Sequence, residues 1–315
     1  MSRIENLEWL TTFVAVADHG TFSRAARAVH RSQSRVSAHI AALEAALGRP
    51  LFDRRHRPVE LTDAGEAFLP YARDVLARLE EGTARVDALT GVLRGSIVVG
   101  AHPSISAGFL PEVLRDFCQR HPQVSVEITE GTTAGMADAL LSGRVHLALR
   151  STTAGVPPPG LHWRPLWTEP YVAVLPADHP LAALDHLGPH DLLDDPFIAI
   201  GQPGADIDPD TRAVFDRWGV APEVSWRTEQ PQTLANLVKA GMGIGLSNAL
   251  AMRTAETTGL SIVPVGPIDQ GRTVGLWVDP ARYASAATRA LHRTILTAPR
   301  PSGTAPPPSP SATDG

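Results

Sequence analysis

The chain has 315 residues, enough for two or more domains, and its composition, 43% hydrophobic and 19% charged, is that of a globular protein with a buried core. Its formal net charge of -5 argues against indiscriminate binding to nucleic acid or to anionic membranes. A single cysteine, Cys118, excludes an intramolecular disulfide and a zinc ribbon and suits a reducing cytoplasm, while the N-terminus lacks the apolar run of a signal peptide and no stretch of about 18 apolar residues offers a membrane span.

The first elements read as helices. Leu7, Leu10, Phe13, Val14 and Val16 form a helical stripe that ends near His19-Gly20. Ser23 is the expected N-cap of a short helix from Arg24 to Val29, and His30-Arg31 is a turn. Ser32 then caps a longer helix from Gln33 to Leu47, with Val36, Ile40, Leu43 and Leu47 on one face and Gly48 as its left-handed stop. Two helices joined by a tight turn, with small Ala25 and Ala26 at the crossing, make a helix-turn-helix. From Leu51 to Leu61, the apolar anchors Phe52, Val59 and Leu61 enclose Arg54, Arg55, His56 and Arg57, the pattern of a short two-stranded wing with a basic tip.

Charge is concentrated in this part of the chain. Between Phe22 and Arg57 lie Arg24, Arg27, Arg31, Arg35, Arg49, Arg54, Arg55 and Arg57 against only Glu44 and Asp53. An excess of six positive charges in an otherwise acidic chain marks one anion-binding face, and DNA is the common anion of that size. An ordinary solvated arginine-rich surface has the same composition.

Thr62 caps a long helix in which Phe68, Ala72, Val75, Leu79, Gly82, Val86, Leu89 and Leu93 follow a heptad spacing. A seam of this length needs a partner helix: the same helix of a second subunit, or the core of its own domain. Pro70 removes one backbone hydrogen bond early in the helix. From Gly95 the pattern alternates. Ser96–Gly100, Val124–Glu130 and His146–Arg150 read as strands separated by helices at Phe109–Gln119 and Gly135–Leu141, an order that predicts a largely parallel sheet. Further strands are expected at Tyr171–Leu175, Phe197–Ile200, Val224–Arg227, Gly243–Leu246 and Thr273–Val278. Helices are expected at Thr211–Trp218, Thr233–Ala240 and Ala286–Thr297. Together these make two small α/β lobes. The Pro-, Ser-, Gly- and Thr-rich tail from Ala298 to Gly315 reads as disordered.

The run FVAVADHGTFSRAARAVHRSQSRVSAHIAALEAALGRPLFDRR, followed by LTDAGEAFLPYAR, resembles the N-terminal domain of LysR-type transcriptional regulators. FLPEVLRDFCQRHPQVSVEITEG, LLSGRVHLALRS, ADHPLA and LANLVKAGMGIGLSNAL continue the likeness in the family's order, so that it covers roughly Ile4 to Leu296. The resemblance implies an α/β fold class: an N-terminal winged helix-turn-helix (1–62), a linker and dimerisation helix (63–92), and a two-lobed periplasmic-binding-protein-like effector domain (93–297). Lobe I is expected at about 93–162 and 268–297 and lobe II at about 163–267, with the tail 298–315 outside. It implies a DNA-binding transcriptional regulator with no enzymatic activity and no resident cofactor or metal. The implied partners are double-stranded promoter DNA, a small-molecule effector between the lobes, further copies of the chain in a dimer of dimers, and RNA polymerase, with no membrane.

On this likeness, DNA readout falls to the first turns of the second helix of the motif. Ser32, Gln33, Ser34, Arg35, Ser37 and His39 are the candidates for base edges, with Gln33 suited to adenine and Arg35 to guanine. Ser23 and Arg24 are candidates for phosphate contact, and Arg54, Arg55 and Arg57 for phosphate or minor-groove contact from the wing. The family commonly has proline where Ser34 stands, a small residue at Arg35 and a basic one at Ala38, so this chain carries its cation at another helical position. In the effector half, Pro103 and Ser104 open a helix directly after a strand, a geometry that favours a carboxylate or other anion. Thr132 and Thr133 hold an equivalent position. Arg150 and Ser151 end the next strand, and Ile200, Gln202 and Gln230 come from the second lobe. Arg150 can hold a carboxylate through two hydrogen bonds, and the pocket residues suggest a small polar or carboxylated metabolite. Ser104, Thr132 and Thr133 equally suit helix capping. His146 stands where the family usually has aspartate, and a surface or capping role is expected for it.

Catalytic motifs are weak. GLSNA at Gly245–Ala249 lacks the last glycine of a nucleophile elbow, and GMGIG at Gly241–Gly245 has no following G-K-S/T. Gly188-Pro189 separates His186 from His190 and prevents the helix that would align them on a metal. The alternative to a regulator is a cytoplasmic solute-binding protein without a DNA-regulatory role, which would leave the first 90 or so residues without a purpose.

Overall fold

The computed structural model describes residues 4–55, 58–88, 93–152, 159–201, 207, 209–267 and 270–307. Contacts divide the chain into two compact units, one built mainly from residues 1–95 and the other from the remainder of the chain.

The first unit begins with α1 (Leu7–His19), α2 (Phe22–Ala28) and α3 (Gln33–Leu47). Asn6 caps α1 by accepting from the Glu8 N–H, and Gly20 ends it at φ 65°. The cap of α2 is Thr21, whose hydroxyl accepts from the Arg24 N–H, so the expected cap at Ser23 moves two residues back. Ser32 caps α3 by accepting from the Arg35 N–H, and Gly48 at φ 68° stops it, as the sequence predicts. Leu10, Phe13, Val16, Ala25, Val36, Ile40 and Leu43 are buried together, and Phe13 packs on Phe52 and Phe68 at ring-centroid distances of 5.4 and 5.6 Å. The wing is the antiparallel pair β1 (Phe52–Asp53) and β2 (Glu60–Leu61). Its return arm is tied to the first turn by the Val59 N–H donating to the Gly20 carbonyl at 2.8 Å. Helix α4 (Asp63–Ala88) starts at Thr62, whose hydroxyl accepts from the Gly65 N–H. Ala72 of the heptad seam is buried in this unit's own core, whereas Val75, Leu79 and Val86 are 41%, 47% and 67% exposed. Leu89 lies outside the described residues.

The second unit holds two five-stranded sheets. The first has the order β4-β3-β5-β12-β6, built from β3 (Gly95–Ala101), β4 (Val124–Glu130), β5 (Leu147–Ser151), β6 (His162–Glu169) and β12 (Arg272–Val278). The second has the order β11-β7-β10-β8-β9, built from β7 (Tyr171–Pro176), β8 (Phe197–Ile200), β9 (Val224–Thr228), β10 (Ile244–Asn248) and β11 (Leu260–Val265). The sheets are mixed rather than largely parallel. Strand β12 returns from the second lobe and inserts antiparallel to both β5 and β6, and β7 runs antiparallel to β10 and β11. The chain passes from the first sheet to the second at Pro170, so residues 163–169, expected at the start of lobe II, pair within the first sheet as part of β6. The helices are α5 (Pro103–Gly108), α6 (Leu110–Arg120), α7 (Thr133–Leu141), α8 (Pro209–Trp218), α9 (Pro231–Lys239), α10 (Ala249–Thr254) and α11 (Ala286–Thr297).

Strands β6 and β11 have no counterpart in the sequence reading. Each contains a proline, Pro165 and Pro264, and each lies at the edge of its sheet, where a missing N–H is tolerated. A register shift between Val274 and Gly275 accommodates Pro165 opposite Gly275. The tail corrects another expectation. Ala305 exchanges two backbone hydrogen bonds with Thr168, at 2.8 and 3.0 Å, covering part of the open edge of β6. Residues 308–315 lie outside the described residues.

Candidate functional site

The helix-turn-helix exposes the start of α3. Ser32, Gln33, Ser34 and Arg35 are exposed, Ser37 is half-buried and His39 is buried. The expected base contact by His39 is therefore corrected. Three residues after Val36, it falls on the inward face of α3, where its Nδ1 meets Thr12 Oγ1 at 2.9 Å. Ser23 Oγ donates to Gln33 Oε1 at 2.8 Å, which leaves the amide nitrogen of the exposed Gln33 as its donor. The two-bond pairing with adenine needs that oxygen back. Ser32 and Ser34 share a hydroxyl hydrogen bond of 3.0 Å.

The basic side chains are held by acids. Arg35 Nη2 donates to Glu8 Oε2 at 3.2 Å, and Arg31 Nη2 to Glu8 Oε1 at 2.9 Å. Arg31, first by its hydrogen bond and then by its charge, holds the Glu8 carboxyl below the usual carboxylate range together with Arg35. Arg54 donates to Glu44 and stacks over the Phe22 ring at 5.2 Å, while Glu44 also accepts the Leu51 and Phe52 N–H groups. Arg55 forks onto Asp53 with contacts of 2.5 to 3.0 Å and stays 84% exposed. Arg24 is exposed at the start of α2, and Arg57 lies outside the described residues.

In the second unit a cavity of about 70 Å³ opens between the lobes. Of the residues expected there, Pro103, Ser104 and Ile200 line it. Thr132 is exposed and caps α7, its hydroxyl accepting from the Gly135 N–H at 3.2 Å. Gln230 is exposed at the start of α9, and its neighbours Glu229 and Pro231 line the cavity in its place. Arg150 and Ser151 are buried in β5 outside the lining. The Arg150 guanidinium lies 4.4 Å from the Trp277 ring, which itself stacks on Trp163. Gln202 lies outside the described residues. His146 neither lines the cavity nor sits idle, since its Nδ1 accepts the Val98 N–H at 2.8 Å and extends the β3–β5 ladder.

Two buried networks bound the cavity. In the first, Thr133 Oγ1 donates to Asp210 Oδ2 at 3.0 Å, across from α7 to α8, and His102 Nε2 lies 2.8 Å from the same hydroxyl. Since the one hydroxyl proton goes to the carboxylate, His102 must donate through Nε2. Part of its surface stays accessible, yet the cleft encloses His102. That desolvation, with the charges of Arg272 and Arg150, pushes its imidazole down to about 3, so it is neutral. In the second network Arg272 forks onto the fully buried Glu169 at 2.5 and 3.0 Å and also donates to Ser104 Oγ at 2.9 Å. The other Glu169 oxygen accepts the Leu250 N–H of α10 at 2.9 Å, which binds the end of β6 to the second lobe. Burial pulls the Arg272 guanidinium down, but the adjacent Glu169 outweighs it and raises it overall.

The anion site expected at Pro103-Ser104 finds little support. Helix α5 spans six residues, and the Ser104 oxygen already accepts from Arg272. Asp210, Arg272 and Glu169 escaped the sequence reading, because their side-chain partners lie 77 to 168 residues away; Glu229 escaped it as well. Among the described residues there is no group of three or more potential metal ligands, and no helix is long and apolar enough to cross a membrane.

Two family models match the chain: the bacterial regulatory helix-turn-helix protein model of the lysR family over residues 7–66, and the LysR substrate binding domain over residues 90–300. Among curated proteins the chain is similar to the HTH-type transcriptional regulator ShiR of Corynebacterium glutamicum. They are 33% identical, over 82% of this chain and 85% of that protein. It is 28% identical to a probable RuBisCO transcriptional regulator of Synechocystis, over 92% of this chain and 85% of that one. Among solved structures it resembles full-length BenM, with a TM-score of 0.57 and 26% identity over 92% of this chain and 95% of that one. A full-length OxyR variant from Pseudomonas aeruginosa, at 22% identity, shares the fold with a TM-score of 0.72 over 96% and 98% of the two chains.

Proposed function

The chain belongs to the LysR family of DNA-binding transcriptional regulators, with a helix-turn-helix domain and an effector-binding domain, and from that premise we propose how its own residues divide the work. The exposed turn Ser32–Arg35 reads base edges in the major groove, with Arg35 addressing guanine and the Gln33 amide nitrogen addressing an acceptor. Ser23, Arg24 and the wing residues Arg54, Arg55 and Arg57 hold the backbone and set register. The observation that carries this reading is the placement of Arg35 at the exposed N-terminal turn of a helix whose opposite face, Val36, Ile40 and Leu43, is wholly buried.

The interlobe cavity takes a small polar effector. Of its described lining, Arg272 is already matched by Glu169 and Asp210 accepts from Thr133, while the exposed Glu229 adds a further acid. An acid at that edge suits an uncharged polar or cationic effector better than the carboxylate expected from sequence. The exposed Val75, Leu79 and Val86 stripe of α4 pairs with the same stripe of a second copy, and two such dimers form the tetramer. The regulator acts in the cytoplasm at its promoter, with RNA polymerase as a further partner. The test of the effector assignment is a thermal-shift screen of the full chain against small amines, polyols and carboxylates. Hits are then added to a DNA footprint. Stabilisation by polar or cationic compounds that also alter the footprint supports the reading, and stabilisation by carboxylates alone contradicts it.

A further inference from the structure

Glu8 is an acid on a face that has to meet phosphates. It is the second residue of α1, and its carboxylate reaches across to the turn and to α3. Oε1 accepts from Arg31 at 2.9 Å, and Oε2 accepts from Arg35 at 3.2 Å and lies 3.7 Å from His39 Nε2. Three basic side chains, 23 to 31 residues away in sequence, thus converge on one carboxylate. Fold stability does not account for this. Glu8 and Arg35 are 41% and 56% exposed, and exposed ion pairs contribute little to stability. Helix α3 is already fixed by Val36, Ile40 and Leu43, each fully buried. Toward DNA the acid is unfavourable, because it repels phosphate and cancels cations that would otherwise release counterions.

What Glu8 supplies is direction. A guanidinium on a long flexible stem grips the nearest phosphate unless it is restrained, and guanine readout needs its planar fork presented in one orientation. The contact to Glu8 uses the Nη2 group of Arg35, on the α1 side of the helix. We propose that Glu8 is the positioning residue for base readout by Arg35: its carboxylate holds the guanidinium toward a guanine edge and away from the neighbouring phosphates. This rests on the assignment of Arg35 to base readout.

The experiment is selection of bound duplexes from a random DNA pool by the full-length protein, with wild type, Glu8→Gln, Glu8→Ala, Arg35→Ala and the double variant Glu8→Gln/Arg35→Ala. A salt titration on one unrelated duplex accompanies it. Arg35→Ala is expected to lose a guanine preference at one position of each half-site. Glu8→Gln and Glu8→Ala are expected to weaken that same preference about fivefold or more, while binding the unrelated duplex more tightly and with a salt slope steeper by about one counterion. The double variant is expected to match Arg35→Ala, because Glu8 acts through that side chain. Glu8 variants that keep the wild-type guanine preference while Arg35→Ala loses it overturn the positioning role alone. An Arg35→Ala protein that keeps the preference overturns the readout assignment beneath it.

Discussion

Thr133 Oγ1 and Asp210 Oδ2 are 3.0 Å apart, a hydrogen bond that joins α7 of one lobe to α8 of the other. Asp210 is 4% exposed and Thr133 6% exposed, so the bond is made away from solvent. The hydroxyl that the family resemblance assigns to an effector thus has an internal partner. A hydrogen bond to a buried charged group is worth about 1.5–3 kcal/mol. Thr133→Val and Asp210→Ala are each expected to lower the stability of the effector domain by that order, and the double variant by less than the sum. Urea unfolding of the four proteins measures the coupling.

Removing one member of a buried ion pair strands the other. Arg272 and Glu169 have side chains 5% and 0% exposed, and Glu169 also receives the Leu250 N–H. Glu169→Ala is expected to cost about 3–5 kcal/mol, and Glu169→Gln less, because the amide oxygen still accepts. The midpoint of urea unfolding reports it, and unchanged midpoints for both variants contradict the pairing.

His102 gives the effector domain an acid sensitivity with a definite sign. Its folded value of about 3 lies below the ordinary 6.5, so between these values the unfolded chain binds a proton that the folded chain does not. Stability therefore falls as the pH drops below 6.5 and levels off near 3, by up to about 1.4 kcal/mol per pH unit from this group. His102→Gln is expected to flatten that part of the stability–pH curve. A curve of unchanged slope contradicts the assignment.

Gly20 and Gly48 have nearly the same left-handed backbone, φ 65° and 68°, but different surroundings. A Cβ at Gly20 would lie 3.0 Å from the Pro58 Cβ, whereas nothing lies within 4 Å at Gly48. Gly48→Ala is expected to cost about 1–2 kcal/mol for the backbone alone. Gly20→Ala is expected to cost more, because the wing must also shift. Melting of the two variants ranks them.

The helix-turn-helix was legible because its signals are local. Ser32 and Gly48 bracket α3, and the spacing of Val36, Ile40 and Leu43 sets its inward face. The same periodicity places His39 inward, and its polar chemistry hid that. The site in the second unit was less legible. Prolines at 165 and 264 masked two edge strands, and with β6 unseen, Glu169 had no recognisable place at a strand end. Asp210 and Arg272 act through partners brought close only by the mixed sheets, which no spacing along the chain encodes.

The central claim, that this chain binds DNA by sequence through Arg35 on α3, is tested most directly by a footprint of the full-length protein on the intergenic region upstream of its gene. The wild type should protect a discrete site, Arg35→Ala should protect it more weakly and with the guanine preference lost at one position of each half-site, and Arg55→Ala should weaken protection without altering its pattern. An Arg35→Ala footprint identical to that of the wild type in position and strength would contradict the account.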